Sequence, residues 1–379
     1  MMQINQEIIE DLSDWDLLCY FLPPGWREKA RETGALTRAR GIADAESLLR
    51  LLLMHLANGC SLIETAVRAR ESGLGTVSSV ALWKRLQKAE EWLRWMAAEV
   101  RAKGDPSLPA IGRRTRAVDA STVSEPGSTG TNWRVHYVVN LMDLQCDFFE
   151  LTDWSGGETW RRIPVKEGDV LLGDRIYSTP RSVAHVVDGK GDVLVRLNPH
   201  SLPLYHSDGK RLSVLGRVRE LRVGEVGDWP AYVLHPEGHW IAGRLIALKR
   251  SREATRRVRK QLQQRASHKQ KNVSPASWKA AAYMLAWTSL LEEYPAEDLL
   301  ECYRFRWQIE LVFKRLKSIM GLGHLPKKDP ASARAWLHGK LLVGLLVERI
   351  IGEASAFSPW GYRLVSPAKP LAGNRVRLS

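Results

Sequence analysis

Cysteine is scarce in this chain: Cys19, Cys60, Cys146 and Cys302 are the four among 379 residues. They lie far apart with no CxxC pair, which excludes a disulfide framework and a cysteine zinc site. Long apolar runs are missing too. No stretch approaches 18 uninterrupted apolar residues, so no transmembrane helix is expected. The first sixteen residues are acidic, which argues against a signal or transit peptide. No GxxxxGK(S/T) stretch occurs, so no ATP-driven step is expected. There is no internal repeat. Acids are short: 42 Asp and Glu face 56 Lys and Arg, a formal net charge of +14. That imbalance implies an acidic partner, nucleic acid before anionic membrane. The basic run 251–271 has eight Lys or Arg, one acid and no aromatic residue, so it does not read as a membrane-surface helix. Phenylalanine is rare, yet there are 15 tryptophans, which can fill cores or stack on bases.

What is present divides the chain into textures. Residues 1–104 read as helical, with Ser61 and Glu64 forming a capping box. Two helices joined by "ESGLGTVSS" resemble a helix-turn-helix, and a plain bundle is equally open because the connection is long. A Pro/Gly linker at 104–114 leads into short β-type runs at "TRAVDAST", "WRVHYVVNLM" and "QCDFFELTD". A strand at 169–175, a helix opened by Pro180 and a strand at 192–198 follow. Residues 200–250 read as a β-rich insertion, and 251–271 as a basic helix or connector. A buried strand at 280–290 precedes a helix begun at Pro295. An apolar helix spans 331–354, and a loose tail follows. The domain reading is therefore 1–104 (helical, DNA-binding), 105–199 (first part of an α/β core), 200–278 (insertion and connector), 279–325 (second part of the core) and 326–379 (helix and tail). The strand order resembles the ribonuclease H-like plan.

Two acids sit in costly places. Asp119 lies within an apolar strand, and Asp174 ends another in "VLLGDRIY". A buried carboxylate must be paired, hydrogen-bonded or metal-bound. Asp143, Asp147 and Asp153 read instead as turn aspartates. A third acid lies in "YRFRWQIELVFKRLKS" (303–318). Wound as one helix, Tyr303, Arg306, Glu310 and Lys317 fall within about 60° of one another. Cys302, Phe305, Ile309, Val312, Leu316 and Ile319 form the opposite, buried stripe. Arg306–Glu310 pairing at i, i+4 on a solvated face is the plain alternative. Taken together, Asp119, Asp174 and Glu310 are a hard-oxygen set suited to two Mg²⁺ or Mn²⁺ ions, as phosphoryl-transfer enzymes use. "HPEGH" (235–239) reads as a turn, because Pro236 and Gly238 oppose the helix that a zinc HExxH needs. His136 reads as structural.

The spacing Tyr303-x2-Arg306-x3-Glu310-x6-Lys317 resembles the Y-R-E-K signature of the DDE transposases of the insertion-sequence-four family. "DAST" around Asp119 and "GDRIYS" around Asp174 resemble that family's two earlier acid motifs. The 135 residues between Asp174 and Glu310 are similar to its long β insertion. The resemblance spans roughly residues 30–355. It implies a ribonuclease H-like α/β core interrupted by a β-rich insertion, with helical segments at both ends. It implies cut-and-paste DNA transposition by metal-dependent cleavage and strand transfer. Asp119, Asp174 and Glu310 would bind Mg²⁺ or Mn²⁺, and Tyr303, Arg306, Lys317, Arg175 and Tyr177 would contact DNA. Partners would be transposon ends and target DNA, met by a homodimer in the bacterial cytoplasm, associated with the nucleoid when bound. Trp229, Trp240 and Trp287 are candidates to stack on a flipped base. A nuclease on the same fold and a catalytically decayed DNA-binding relative are the alternatives.

Overall fold

The computed structural model describes residues 13–356, except residues 39, 103–112, 129, 142, 269, 319–320 and 324. The linker up to residue 112, Ile319 and the tail after residue 356 therefore lie outside the described residues. The chain forms two compact units.

Among the described residues, the first unit begins with six helices: α1 (Asp14–Phe21), α2 (Trp26–Glu32), α3 (Ala45–Leu56), α4 (Leu62–Glu71), α5 (Ser79–Lys88) and α6 (Glu90–Ala102). Local chemistry sets their starts. Asp44, Ser61 and Ser78 each cap a helix by accepting a backbone N–H two or three residues inside it. Apolar stripes at helical spacing then fill the interior with Leu48, Leu52, Leu56, Leu82, Leu86, Trp92 and Met96.

The second unit is built on an eight-stranded sheet. Its first strands are β1 (Thr115–Val123), β2 (Trp133–Asn140), β3 (Cys146–Asp153) and β4 (Val170–Gly173). After them come α7 (Pro180–Asp188), β5 (Asp192–Arg196) and the short α8 (Val214–Val218). Then follow β6 (Val226–Pro230), β7 (Val233–Leu234), β8 (Trp240–Ile241) and β9 (Arg244–Lys249). The basic run 251–271 supplies α9 (Arg252–His268), and α10 (Pro275–Ala280) leads to β10 (Tyr283–Thr288). Last are α11 (Ala296–Arg304) and α12 (Trp307–Ser318), whose final residues from Arg315 on belong to the first unit.

Strand order is β3-β2-β1-β4-β5-β10-β9-β6. β1, β4 and β5 run parallel, while the β2–β3, β5–β10, β9–β10 and β6–β9 pairs are antiparallel. The segment read as a β insertion is thus partly continuous with the main sheet, because β9 and β6 extend it past β10. β7 and β8 form a separate hairpin, and "HPEGH" is its turn.

Alternation along the strands gives the sheet two buried faces. Leu171, Val193, Val195 and Trp287 pack with Trp160, Tyr177, Val183 and Val186 on the α7 side. Leu172, Leu194, Ile246 and Ala286 pack with Leu299, Leu300 and Tyr303 on the α11 side. The result is three layers, helix on sheet on helix.

The final helix, α13 (Pro330–Ala356), returns to the first unit and packs on α3, α5 and α6. Trp83 Nε1 donates to Ser332 Oγ at 2.8 Å, Gln87 Nε2 to Asp329 at 3.1 Å, and His338 lies 3.2 Å from Glu90. Among the described residues, no helix is long and apolar enough to cross a membrane.

Candidate active site

The backbone register brings two of the predicted acids together. β1 and β4 pair in parallel, with Ala117 opposite Leu172. Two residues further on, Asp119 is level with Asp174, and equal side-chain parity puts both on one face of adjacent strands. Asp174 directly follows β4, so the pair sits at a carboxyl edge of parallel strands, where open α/β sheets place ligands. On the other side, β5 puts Val195 opposite Gly173, which makes Arg196 the next residue in line.

Asp119 is mostly withdrawn from water and accepts the Ala120 N–H at 2.8 Å. Burial, reinforced by the charges of Asp174 and Glu158, pushes its carboxyl up to about 7, against the lowering effect of the Ala120 bond and Arg306. Asp174 accepts the Ile176 N–H at 2.8 Å, which fixes the turn after β4. Glu158 is a further acid of this neighbourhood, held by Arg134 at 3.5 Å. It was not singled out from sequence because "SGGETW" reads as an ordinary polar loop.

The helix read over 303–318 is broken. α11 ends at Arg304 and α12 starts at Trp307, with a turn at Phe305 and Arg306. No Gly or Pro marks this break; tertiary contacts accompany it. The Tyr303 hydroxyl donates to the Gly173 carbonyl at 3.1 Å, tying the end of α11 to the strand that presents Asp174. Phe313 of α12 packs edge-on against Tyr137 of β2 at 5.9 Å. The single-helix wheel therefore fails: Phe305, placed in the buried stripe, is exposed, and Tyr303, placed on the polar face, is buried. Cys302, Ile309, Val312 and Leu316 of that stripe are buried as their spacing predicts, and Phe313 is buried beside them.

Glu310 lies in the first turn of α12, exposed and ion-paired with Arg306. Arg306 also acts electrostatically on Asp119, so one cation is linked both to a strand acid and to Glu310. Its Nε is buried without a partner among the described atoms. Lys317 is in the last turn of α12, within the other compact unit. Arg175 is exposed beside Asp174. Tyr177 is a correction: it is buried and stacked on Trp160 at 5.5 Å, which leaves no ring surface for DNA. Its hydroxyl has no partner among the described atoms and feels the charges of Asp119, Glu158 and Asp174.

Contacts bear on several other readings. Asp147 is no turn residue; on β3 it pairs with Arg114 and Arg116, and Asp169 joins the same network at 2.9–3.0 Å. His136 is buried with its Nε2 3.0 Å from Thr152, and burial pushes its pKa down to about 4, so it is neutral at pH 7. In the hairpin turn, His235, Glu237 and His239 come close enough to suggest a metal site. Both His235 nitrogens are engaged, however: Nε2 lies 3.2 Å from Asp188 and Nδ1 accepts the Glu237 N–H at 3.0 Å. Trp287 is fully buried and donates to the Ala231 carbonyl, whereas Trp240 is exposed against Tyr205.

Known proteins resemble this chain. Residues 156–346 match the family model for the transposase DDE domain. The InsL transposases named for the insertion sequence elements IS186A and IS186B of Escherichia coli K12 are each 36% identical over 338 residues, spanning 87% of this chain and 91% of theirs. The transposase for insertion sequence element IS421 of Escherichia coli is 35% identical over 339 residues, with the same coverage. A strand-edge pair of aspartates, a glutamate on a following helix and this similarity along most of the chain lead to one assignment: the chain belongs to the DDE transposases.

Proposed function

We propose that this transposase moves an insertion sequence by cut-and-paste, using Asp119, Asp174 and Glu310 to hold two divalent ions. The observation that carries the reading is the β1–β4 register, which sets Asp119 and Asp174 side by side, with α11 bonded to the same strand end. The order β3-β2-β1-β4-β5 supports a ribonuclease H-like core. The donor set fits a hard cation. It offers carboxylate oxygens alone, and Asp119 is held up to about 7 by burial beside like charges, a repulsion that bound cations would relieve. When bound, Mg²⁺ or Mn²⁺ supplies Lewis acidity for water or hydroxyl attack at a phosphodiester.

The chain's own groups do the rest. Asp119 and Asp174 fix the position of charge on a rigid sheet edge. Tyr303 positions that edge by holding the Gly173 carbonyl. Arg306, whose Nε has no partner among the described atoms, would be placed to meet a DNA phosphate, and a cation held by Glu310 would compete for its present ion-pair partner. Arg175 and Lys317 are further phosphate contacts in this reading. The helical unit recognises the element's ends, and two copies act together on DNA.

An assay with the element's own ends tests it. Asp119→Asn, Asp174→Asn and Glu310→Gln should each abolish Mg²⁺-dependent cleavage while DNA binding persists, and EDTA should do the same to the wild type. Cleavage by any of the three variants at the wild-type rate removes that residue from the site. Cleavage that stops at nicking, with no strand transfer, favours the nuclease alternative.

A further inference from the structure

A groove away from the acids carries cations and no counterpart. Arg252, Arg256, Arg259, Lys260 and Gln263 recur along α9 at helical spacing and share one stripe. With Lys249 and Arg250 from the end of β9 and Trp278 from α10, they line an open groove of about 700 Å³. No carboxylate is among its described lining residues. Glu253, the one acid of α9, lies off the stripe and pairs with Arg257 at 3.7 Å.

Trp278 is 37% exposed, with the Arg259 guanidinium 4.9 Å over its ring and the Arg259 Nε donating to its carbonyl at 3.3 Å. An aromatic face propped beside cations is what a nucleic-acid strand meets in sequence-tolerant grooves. At the inner end, burial and the guanidiniums of Arg196 and Arg175 lower the Arg250 pKa to about 10. Arg175 follows Asp174, and Arg196 is level with it, so these cations connect the candidate active site to the groove.

We propose that the α9–α10 groove binds the sugar-phosphate backbone of DNA without reading its sequence, as a contact surface additional to the acid site. The proposal rests on the transposase reading, which supplies DNA as the partner. Each phosphate neutralised by Lys or Arg releases counterions, so the groove's share of binding is read directly from salt dependence.

The test uses the full-length protein carrying Arg252→Ala, Arg256→Ala and Lys260→Ala together, three exposed positions. Affinity for a random duplex and for one carrying the element's end is measured by fluorescence anisotropy between 50 and 200 mM salt, without divalent ions. The expected result is at least a tenfold loss at 150 mM on both duplexes. The slope of log affinity against log salt should become shallower by about 2–3, at ~0.9 per lost contact. An unchanged slope overturns the proposal, as does a loss confined to the end-bearing duplex. Loss of anionic-vesicle binding with DNA binding intact overturns it in favour of a membrane surface. These outcomes are independent of the acid site: failure of Asp119→Asn to stop cleavage would sink the metal reading and leave the groove standing.

Discussion

Asp119 shows how a residue's surroundings set its behaviour. Its carboxyl titrates at about 7 in the folded chain, against about 4 in an unfolded one. Between those values the native state binds more protons than the unfolded state, so stability falls as pH rises through the window. Without divalent ions, urea unfolding should therefore show stability declining from pH 4 to pH 7, by at most about 1.4 kcal/mol per pH unit from this group. Asp119→Asn should remove that part of the decline; an identical pH profile in the variant would refute the assignment. Asp169 is a 1% exposed carboxylate ion-paired with both Arg114 and Arg116. Asp169→Asn leaves the buried Arg116 with Asp147 as its one charged partner among the described residues. It should cost about 3 kcal/mol, at the low end for a broken buried pair, measured by chemical denaturation. The candidate acids Asp119, Asp174 and Glu310 were legible because each interrupts an apolar strand or sits in a spaced polar pattern. Asp147 and Glu158 were not, since their partners, Arg116 and Arg134, come from other strands.

Elements were legible where local chemistry decides them. Ser61 accepts the Glu64 N–H at 3.1 Å, as the capping box predicts, and the strand at 283–288 fills its buried slot. The break between α11 and α12 was hidden because Phe305 and Arg306 are ordinary helix residues, held in a turn where Tyr303 is anchored to β4. That anchor spans a sequence separation no periodicity can report. Helix packing offers its own test. A Cβ on Gly339 of α13 would lie 2.4 Å from Leu56 Cδ1, and Leu56 is fully buried on α3. Gly339→Ala should gain about 1 kcal/mol of helix propensity and lose about 1–3 kcal/mol to overpacking. A lowered melting temperature is expected; a raised one would mean that Leu56 can swing aside.

At the scale of the whole molecule, the +14 charge predicts DNA affinity that weakens steeply with salt on any sequence. Binding insensitive to salt between 50 and 200 mM would contradict the reading of the charge excess. The sheet was partly legible: the strands up to β5 follow from alternation and turn residues. That β9 and β6 would join the same sheet through β10 was not, because strand pairing across such distances leaves no local trace.

The last helix has a consequence for synthesis. The partners of Ser332 and His338 are Trp83 and Glu90, made some 250 residues earlier. During translation those early helices must wait, with the apolar surface that α13 will cover still open, until nearly the whole chain has left the ribosome. A message cut short before Pro330 would yield a protein with an intact sheet and an unfinished bundle, a natural substrate for chaperones and proteases.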